Sequence, residues 1–578
     1  MIEKRWTHKP SFAEEQQQLA FGLTQSLNIS LPLAMLLVQR GIYDFEQSRQ
    51  FFRPEIGHLH DPYLMKDMDK AVKRLSDAIL AGEKILVYGD YDVDGTTSVA
   101  LFYGFIKKYH ANLDYYIPDR YEEGYGVSWQ SLDYAEQNGF TLIVTLDCGI
   151  KSVDKVAAAK ERGIDFIICD HHRPGNELPP AVAALDPKRE DCAYPYKELT
   201  GCGVGFKLLQ AFCQEHNIDE LALFEYLDLV VVSIASDIVP ITGENRVLAY
   251  YGLKQLNASP RTGIKALMQI AGLNGVLDIT NCVFGIGPRI NAAGRIKHAR
   301  EAVKLLLCED DEEAADFALE INKHNTDRRT FDSNMTEQAL FMIENDAWLS
   351  SAKSTVLFRE DWHKGVIGIV ASRCIEKYHR PTIILTQSHG KAAGSARSVP
   401  GFDVYEAIEE CADLLEQYGG HTFAAGLTLP LDNLEAFKTR FNEIVSSKIL
   451  PDQLIPVIDI DMPLDLEHIS PKFYNILRQM GPFGPGNMTP VFESRNVMLA
   501  GKPVIMKEKH IKFDVKQQNS SIFTAVGFGL ARFFPDLVNG KPFSICYSLE
   551  ENTFRDKKTL QLSLKDIRIH HVPEQQTA

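Results

Sequence analysis

The sequence predicts an α/β protein with a doubly wound, mostly parallel sheet, followed by a helical connector, a smaller α/β domain and a C-terminal β-barrel. Three observations support this fold class. Short apolar runs alternate with helix-like segments after Lys84, helical spacing alone covers about 243–345, and short alternating runs follow Pro451. These patterns are typical of a parallel sheet with crossover helices, of a helical layer and of a closed barrel.

Five apolar runs predict the strands of the first domain, which we place at residues 46–242. They are KILVYGD, LDYYIPD, TLIVTLD, DFIICD and AVAALD. In sheets of this kind, ligands bind beyond the carboxyl ends of the strands. The other predicted parts are an N-terminal extension, the connector, the smaller α/β domain and the barrel domain, at 1–45, 243–350, 351–450 and 451–578.

Composition excludes several classes of protein. A chain of 578 residues is about three to four domain lengths, and 45% hydrophobic with 24% charged residues is typical of folded globular proteins. The most apolar stretch, 229–239, is interrupted by Asp237 and is shorter than the roughly 20 residues of a transmembrane helix. The first residues lack the apolar run of a secretory signal, so a cytoplasmic protein is expected.

The first strand ends in a cluster of three carboxylates. Asp90, Asp92 and Asp94 occupy alternate positions before Gly95, and an extended backbone would place all three on one side. Such a cluster repels itself unless a cation binds, so a metal site is predicted. The alternative is a Ca²⁺-type loop or a solvated acidic turn, although the distal Glu of an EF-hand pattern is missing.

Carboxylates and imidazoles also follow later strands. Asp147 ends the third run, and Asp170, His171 and His172 end the fourth. Taken singly, an Asp after a strand is often a helix cap and a His pair is often a surface feature. Parallel strands bring these ends into one crevice, which favours a common site.

A further carboxylate, Asp237, closes an apolar segment of about ten residues. A buried Asp costs several kcal/mol unless it is paired or metal-bound, so Asp237 is predicted to be another ligand. The alternative is an Asp that caps the end of a helix.

Carboxylate and imidazole ligands suit Mn²⁺ or Mg²⁺. The ten cysteines are scattered without a C-x-x-C pair, which argues against structural zinc and against a disulfide framework. Two ions roughly 3.5 to 4 Å apart, sharing Asp147, would activate a water and hold a phosphate for in-line attack. The constellation predicts metal-dependent hydrolysis of a phosphoester.

The order of these motifs, DYDVDG, LDCG, DHH and SDIVP, resembles that of the DHH phosphoesterase superfamily. The resemblance implies metal ligands at Asp92, Asp94, Asp147, His171 and Asp237, and further catalytic residues at Asp90, Asp170 and His172, the last of them also close to the phosphate. Other members place a His four residues before the D-x-D pair, whereas this chain has Tyr88. The role of Asp90 as a ligand is therefore left open.

The smaller α/β domain resembles the DHHA1 domain that accompanies DHH domains, through its segments GSARS and GGHTFAAG. The resemblance implies substrate-binding residues at Ser395, Arg397 and His421, and Arg397 offers a bidentate fork to phosphate. We interpret both segments as glycine-rich turns that permit close backbone approach. A tight turn without a binding role is the alternative.

Three further segments, PDRYEEGYG, GPRINAAGR and GPFGPGN, narrow the resemblance to the branch of the superfamily that degrades single-stranded DNA. In the first segment, Arg120 and Tyr125 are candidates for binding the 5′ end of the strand. In the second, Arg289 and Arg295 are candidates for reaching the strand from the connector. A glycine-kinked structural turn is the alternative for the first segment.

The resemblance implies a 5′-to-3′ exonuclease that acts with Mn²⁺ or Mg²⁺ in recombination and mismatch repair, with single-strand-binding protein and a RecQ-type helicase as partners. Two other functions stay open. One is a DHH/DHHA1 hydrolase of short oligonucleotides or cyclic-dinucleotide products, which the long β region after Pro451 disfavours. The other is a non-catalytic replication scaffold, which the intact carboxylates and histidines disfavour.

The C-terminal region differs in charge from the rest of the chain. The net charge is -16, but residues 501–570 contain 12 Lys and Arg against 7 Asp and Glu, a local +5, so the remainder carries -21. On an OB-fold, these lysines would contact phosphates and aromatics would stack on bases, without sequence preference. The alternative is a barrel core of aromatics beneath a solvated lysine face. The residues concerned are Lys502, Lys507, Lys509, Lys512, Lys516, Phe513 and Phe523.

Overall fold

The computed structural model describes residues 2–554 and 557–569. The chain divides into two compact units. The first contains residues 54–335 and 482–487, and the second contains the described parts of 1–53, 336–481 and 488–578. The first unit holds the parallel sheet and most of the connector, and the second holds the smaller α/β domain and the barrel.

The N-terminal segment belongs to the second unit. It forms β1 (Arg5–His8), α1 (Glu14–Leu27), α2 (Leu31–Gln39) and α3 (Phe45–Phe52). The strand β1 pairs in parallel with residues 457–460. The Trp6 side chain is buried beside Ile460 and Cys546, and its indole N–H donates a hydrogen bond to Asp566 at 3.0 Å. The segment is therefore part of that unit's core.

The first α/β domain alternates strands and helices. Its elements are α4 (Met68–Ala81), β2 (Ile85–Gly89), α5 (Val93–Ile106), β3 (Leu113–Tyr116), α6 (Trp129–Gln137), β4 (Leu142–Leu146), α7 (Val153–Glu161), β5 (Asp165–Cys169), β6 (Ala183–Leu185), α8 (Gly201–Glu215), α9 (Leu221–Phe224) and α10 (Leu227–Asp237). The strands are all parallel, in the order β3-β2-β4-β5-β6. The predicted doubly wound sheet is confirmed.

Side chains of the central strands alternate between two hydrophobic cores. Val87 and Val144 lie in the core formed with α4, α5, α8 and α10, whereas Leu86 and Ile143 lie in the core formed with α6 and α7. When both faces of a parallel sheet are covered by helices, polar side chains can reach a ligand only at the ends of the strands. This is why the functional side chains of the domain follow the strands.

The predicted connector is helical, as expected. It contains α11 (Gly243–Ala258), α12 (Thr262–Ile270), α13 (Ile279–Asn281), a π-helical turn (Cys282–Ile286), α14 (Gly287–Ile296), α15 (Arg300–Leu307), α16 (Asp311–Asn345) and α17 (Ala347–Ser351). The helix α11 packs against α10, and α15 packs against α5. Both contacts support elements that carry predicted metal ligands.

The smaller α/β domain has a mixed sheet in the order β10-β11-β9-β8-β7. Its elements are β7 (Thr355–Arg359), α18 (Ile367–Tyr378), β8 (Thr382–Ser388), β9 (Lys391–Arg397), α19 (Val404–Glu409), β10 (Gln417–His421), β11 (Ala424–Leu429) and α20 (Leu434–Lys448). The interpretation of its glycine segments as turns is wrong for GSARS, whose residues 394–397 lie in strand β9, and right in part for GGHTFAAG, whose residues 422–423 form a tight turn between β10 and β11. Gly394 lies within β9 and Gly419 within β10, and both strands pair antiparallel with β11, which lies between them.

The C-terminal domain is a closed barrel. Its elements are β12 (Val457–Ile460), β13 (Met462–Pro463), α21 (Pro471–Gln479), β14 (Phe492–Leu499), β15 (Val504–Met506), β16 (His510–Lys516), β17 (Phe523–Gly527), α22 (Phe534–Leu537), β18 (Phe543–Phe554) and β19 (Lys557–Ile569). The strands β14, β18, β19, β17 and β16 form a ring that the β14–β16 pairing closes. Five strands in such a ring, with β17 and β19 parallel, form the predicted OB-fold.

Two features of the described residues concern their helices and their cysteines. None of their helices has the length and apolar character that crossing a membrane requires. All ten cysteines are free thiols, and nine of them are buried.

The contact between α10 and α11 depends on Gly252, which leads to a stability prediction. A Cβ added there would lie 2.5 Å from the Leu227 carbonyl oxygen and 2.6 Å from the Val231 Cβ. We expect Gly252→Ala to lower the free energy of local unfolding of these helices by about 1 to 3 kcal/mol, because overpacking outweighs the gain in helix propensity. Amide hydrogen exchange of α10 and α11 measures this.

The matched control is Gly22→Ala in α1, where an added Cβ would meet no atom within 4 Å. This change should stabilise its helix by about 0.5 to 1 kcal/mol. Equal protection of α10 in the Gly252→Ala variant and in the unmodified protein would contradict the packing argument.

Candidate metal centre and active site

The candidate site lies beyond the carboxyl ends of β2 and β4, where the strand order of the parallel sheet reverses. Doubly wound sheets bind ligands at this switch point. Asp90 follows β2 and Asp147 follows β4, and both side chains are buried within the first unit.

The acidic segment after β2 bends into a helix. Asp92 is the N-cap of α5, and its Oδ1 accepts a hydrogen bond from the Gly95 backbone N–H at 3.1 Å. Asp94 already lies in the first helical turn. The prediction of an extended backbone through all three carboxylates is wrong, because a capped helix satisfies backbone N–H groups that an extended segment would leave free.

The Asp94 carboxylate is held by donors from two other helices. It accepts hydrogen bonds from the backbone N–H groups of Gly201 at 2.6 Å and Cys202 at 2.9 Å, at the start of α8. The Ser233 hydroxyl of α10 donates to it at 2.7 Å. A helix N-terminus favours negative charge, and these contacts fix the Asp94 carboxylate in one orientation.

Asp147 occupies a tight position between β4 and α8. Its backbone is left-handed, with φ of 62°. A Cβ added at Gly201 would lie 2.5 Å from the Asp147 Cβ, so only glycine permits this approach. Burial and the neighbouring carboxylates of Asp94 and Asp92 raise the pKa of Asp147 well above its ordinary value. A cation among these carboxylates would relieve that repulsion.

Asp170 orients the two histidines that follow it. It accepts hydrogen bonds from the backbone N–H groups of Ile150, His171 and His172 at 2.9, 2.7 and 3.1 Å, and from His172 Nδ1 at 2.7 Å. Burial opposes ionisation of Asp170, but the bond and charge of His172 outweigh it and lower the pKa to about 2. Burial likewise favours neutral His172, but the Asp170 bond raises the pKa of His172 to about 9.

His171 faces the carboxylates directly. Its Nε2 lies 3.2 Å from an Asp147 oxygen, 3.7 Å from an Asp94 oxygen and 3.7 Å from an Asp237 oxygen. Burial lowers the pKa of His171, which favours the neutral imidazole that binds metals.

Asp237 is the last residue of α10 and is followed by Ile238, whose backbone is left-handed with φ of 59°. The end of a helix presents carbonyl groups and a partial negative charge, which a carboxylate cannot cap. Burial and the charge of Asp94 raise the pKa of Asp237. The contacts disfavour the capping interpretation and favour a role beside a cation.

The donor set suits hard or borderline divalent cations. Three groups of ligand atoms at this edge each lie within 4.8 Å of one another: Asp147, His171 and His172; Asp94, His171 and Asp237; and Asp90, Asp92 and Asp147. Buried Asp90 Oδ1 has no hydrogen-bond partner among the described residues. Carboxylate oxygens and one or two imidazole nitrogens are ligands that Mn²⁺ accepts, and the carboxylates suit Mg²⁺.

The loop after β3 brings Tyr125 to the same edge. The Tyr125 hydroxyl lies 3.1 Å from a His172 ring nitrogen and 3.3 Å from the Asp147 carbonyl oxygen. Arg120, on the same loop, stacks over the Tyr91 ring at 3.9 Å. Tyr88 lies apart from the ligands, because its buried hydroxyl donates to the Gly126 carbonyl at 2.7 Å.

The two arginines of α14 differ in their surroundings. Arg289 donates to Asn322 at 3.0 Å and to the Gly285 carbonyl at 2.6 Å, both within the connector. The Arg295 carbonyl accepts a hydrogen bond from Tyr121, on the loop that carries Arg120. The structure therefore brings Arg295 to the loop beside the acidic edge, whereas the contacts of Arg289 hold it in the connector.

Sequence reasoning missed two kinds of residue at this edge. Gly201 and Ser233 position Asp94, but neither carries a recognisable chemical motif. Asp186 follows β6, as the end of the run AVAALD indicated, and is fully buried. Burial raises its pKa to about 7, and its Oδ1 accepts the Lys188 backbone N–H at 2.7 Å.

In the second unit, Arg397 and His421 lie in one row of the mixed sheet, each paired with Ala424 of the central strand β11. Arg397 Nη1 donates to the Ser395 hydroxyl at 3.0 Å and to the Ala396 carbonyl at 2.7 Å. No carboxylate among the described residues forms an ion pair with Arg397. Its guanidinium is thus held by neutral groups and keeps its capacity to bind an anion.

The barrel carries all five predicted lysines on its surface, and none of them forms an ion pair with a residue that the structure describes. Phe513 and Phe523 are buried, so the prediction that they stack on bases is wrong. Alternation along β16 turns Phe513 into the core and Lys512 outward. Phe528 is an exposed aromatic residue of this region, with its ring 5.2 Å from that of His510.

Three family models match the chain, in the order of its domains. The DHH family, N-terminal domain, matches residues 84–234; the DHHA1 domain matches 351–447; and the RecJ OB domain matches 460–566.

Curated relatives and solved structures extend the comparison to nearly the whole chain. The single-stranded-DNA-specific exonuclease RecJ of Bacillus subtilis is 38% identical over 95% of this chain and 69% of its own length. RecJ of Escherichia coli is 34% identical over 94% of this chain and 97% of its own. The crystal structure of RecJ in complex with Mn²⁺ from Thermus thermophilus superimposes with a TM-score of 0.84 at 27% identity, covering 98% of this chain and 80% of that one. The chain therefore belongs to the RecJ family, in which these curated relatives are single-stranded-DNA-specific exonucleases.

Proposed function

We propose that this chain is a metal-dependent exonuclease that removes nucleotides from the 5′ end of single-stranded DNA. The observation that carries the proposal is the buried group of carboxylates and imidazoles at one edge of the parallel sheet. The substrate class is supported by the curated relatives named above and by T. thermophilus RecJ structures in complex with Mn²⁺ and with Mg²⁺.

In this proposal two Mn²⁺ or Mg²⁺ ions are held by Asp92, Asp94, Asp147, His171 and Asp237. When bound, such ions supply an activated water and positive charge for the transition state of phosphodiester hydrolysis. The water oxygen bonds to phosphorus and the P–O3′ bond breaks. The terminal nucleotide leaves with a 3′-hydroxyl, and the shortened strand keeps a 5′-phosphate.

The protein's own groups orient the strand around this bond. Protonated His172, held by Asp170, donates a hydrogen bond to a phosphate oxygen and is aided by the adjacent Tyr125 hydroxyl. Asp90 adds negative charge beside Asp92 and Asp147 and strengthens cation binding. The role of His172 depends on the ring orientation that its hydrogen bonds to Asp170 impose.

The 5′ end is proposed to bind at the loop that carries Arg120 and Tyr125, with Arg295 beside it and Arg289 as a more distant contact. Ser395, Arg397 and His421 are proposed to contact the strand from the smaller domain. A guanidinium held only by neutral groups, as in Arg397, supports a phosphate contact.

The barrel is proposed to hold the strand without taking part in the chemistry. Its exposed lysines would contact phosphates, and Phe528 takes the stacking role first assigned to Phe513 and Phe523. A cytoplasmic location, a role in recombination and mismatch repair, and partnership with single-strand-binding protein and a RecQ-type helicase complete the proposal. Their support is the family resemblance alone.

We expect Asp147→Ala to lower nuclease activity by about a hundredfold or more at saturating Mn²⁺, because this carboxylate belongs to two of the three ligand groups. Affinity for single-stranded DNA should change little. The measurement is exonuclease activity on a labelled strand together with fluorescence anisotropy. The exposed Asp154→Ala serves as a control with wild-type activity, and an Asp147→Ala protein that keeps wild-type activity would refute the assignment.

The Arg120→Ala variant tests the 5′-end site. Loss of a charge-assisted contact should lower kcat/KM about 10- to 100-fold on 5′-phosphorylated strands and much less on 5′-hydroxyl strands. The control is Arg162→Ala, whose guanidinium is paired with Asp133 away from the loop. An equal loss on both strands would remove the phosphate-binding role.

Replacing Lys512 and Lys516 of β16 by Ala tests the barrel. Each phosphate contact contributes about 0.7 to the slope of log affinity against log salt for single strands, so the double variant should flatten the slope by about 1.4. Cleavage of strands too short to reach the barrel should be unchanged. Lys73→Ala, on the exposed face of α4, is the control. An unaltered slope in the double variant would mean that these lysines do not contact DNA phosphates and that the barrel binds another partner.

A further inference from the structure

A second group of ligand-type side chains lies in the helical connector, outside the catalytic edge. Glu301 belongs to α15, and Glu320 and His324 belong to α16. Residues four apart share one face of a helix, so Glu320 and His324 point to the same side. Their ligand atoms and that of Glu301 all lie within 4.8 Å of one another. We call these three residues the connector cluster.

His324 is the buried member of the connector cluster. Only 5% of its surface is exposed, and its Nε2 lies 3.3 Å from Glu301 Oε2 and 3.9 Å from Glu320 Oε1. Both His324 Nε2 and Glu301 Oε2 are buried without a hydrogen-bond partner among the described residues. Buried polar atoms are normally satisfied, and leaving them unsatisfied costs free energy.

Lys297 provides part of the local charge balance. Its Nζ lies 3.2 Å from Glu320 Oε1 and 4.0 Å from Glu301 Oε1. It thus approaches the carboxylates but leaves the facing pair of Glu301 Oε2 and His324 Nε2 unsatisfied. The Lys297 side chain is 55% exposed, so its ammonium can turn to solvent when a cation takes its place.

We propose that the connector cluster binds one divalent transition-metal ion through Glu301, Glu320 and His324. One imidazole and two carboxylates suit Zn²⁺ or Mn²⁺, whose bonds to such ligands are about 2.0 to 2.2 Å long. Ligand atoms around such an ion lie roughly 3 to 3.5 Å apart, so the separation of 3.3 Å between His324 and Glu301 already fits. The partly exposed Glu301 and Glu320 leave room for water to complete the coordination.

The proposed ion would connect two helices with different neighbours. The helix α15 packs against α5, which begins with the catalytic residues Asp92 and Asp94. The helix α16 continues from residue 311 to residue 345. The site binds metal independently of the nuclease function and would stiffen the support of the catalytic helix.

The experiment counts bound metal and localises it. The parent is the Asp147→Ala protein, which weakens the catalytic site and simplifies the titration. After equilibrium dialysis against Zn²⁺ and, separately, Mn²⁺, metal per chain is measured by mass spectrometry. Adding His324→Gln should lower bound Zn²⁺ by one equivalent, whereas adding His389→Gln, an exposed histidine of the smaller domain, should change nothing. Zn²⁺ should also slow amide exchange across residues 297–330 in the parent but not in the His324→Gln protein.

Two further variants test the same site if the His324→Gln protein does not fold. Glu320→Gln changes a more exposed ligand and should weaken Zn²⁺ binding at the same site. Lys297→Met removes the competing ammonium and should strengthen it severalfold, whereas a plain ion-pair network would gain no metal affinity from this change. Unchanged stoichiometry in His324→Gln and Glu320→Gln, or Zn²⁺ protection that persists in either variant, would overturn the proposal.

Discussion

The repulsion among buried carboxylates at the end of the parallel sheet is the constraint around which the first unit is organised. Asp90, Asp94 and Asp147 are almost fully buried, and Asp92 and Asp237 lie beside them. The free-energy cost of holding like charges this close in a low-dielectric site exceeds the stabilisation that packing alone provides. Cations, the N-terminus of α8 and the protonated imidazole of His172 are the compensating charges that this geometry offers.

The surrounding structure makes that concentration of charge possible. The start of α8 supplies backbone donors to Asp94, and glycine at 201 lets Asp147 approach the same helix. Asp170 uses its oxygens to hold the histidines and stays outside the ligand groups. The carboxylates of this edge therefore have different roles. Asp170 accepts several hydrogen bonds and orients the histidines, whereas Asp90 keeps an oxygen without a hydrogen-bond partner among the described residues.

Much of this arrangement is predictable because a parallel sheet buries its faces and exposes its strand ends. Alternating runs located Asp90, Asp147 and the Asp170 triplet at one edge. The helical turn at Asp94 and its bond from Ser233, 139 positions away, were not predictable, because they depend on packing between distant helices. In the barrel, the alternation of residue types along β16 did not predict which face points inward. The structure shows that the face carrying Phe513 is buried.

Proton release on metal binding tests the central claim most directly. Burial and mutual repulsion raise the pKa values of Asp90, Asp147 and Asp237, so the metal-free site retains protons that a cation must displace. Calorimetric titration with Mn²⁺ in buffers of different ionisation enthalpy should show about one proton or more released per chain near neutral pH, and affinity should rise with pH. A binding enthalpy independent of the buffer, with affinity unchanged by pH, would contradict the account.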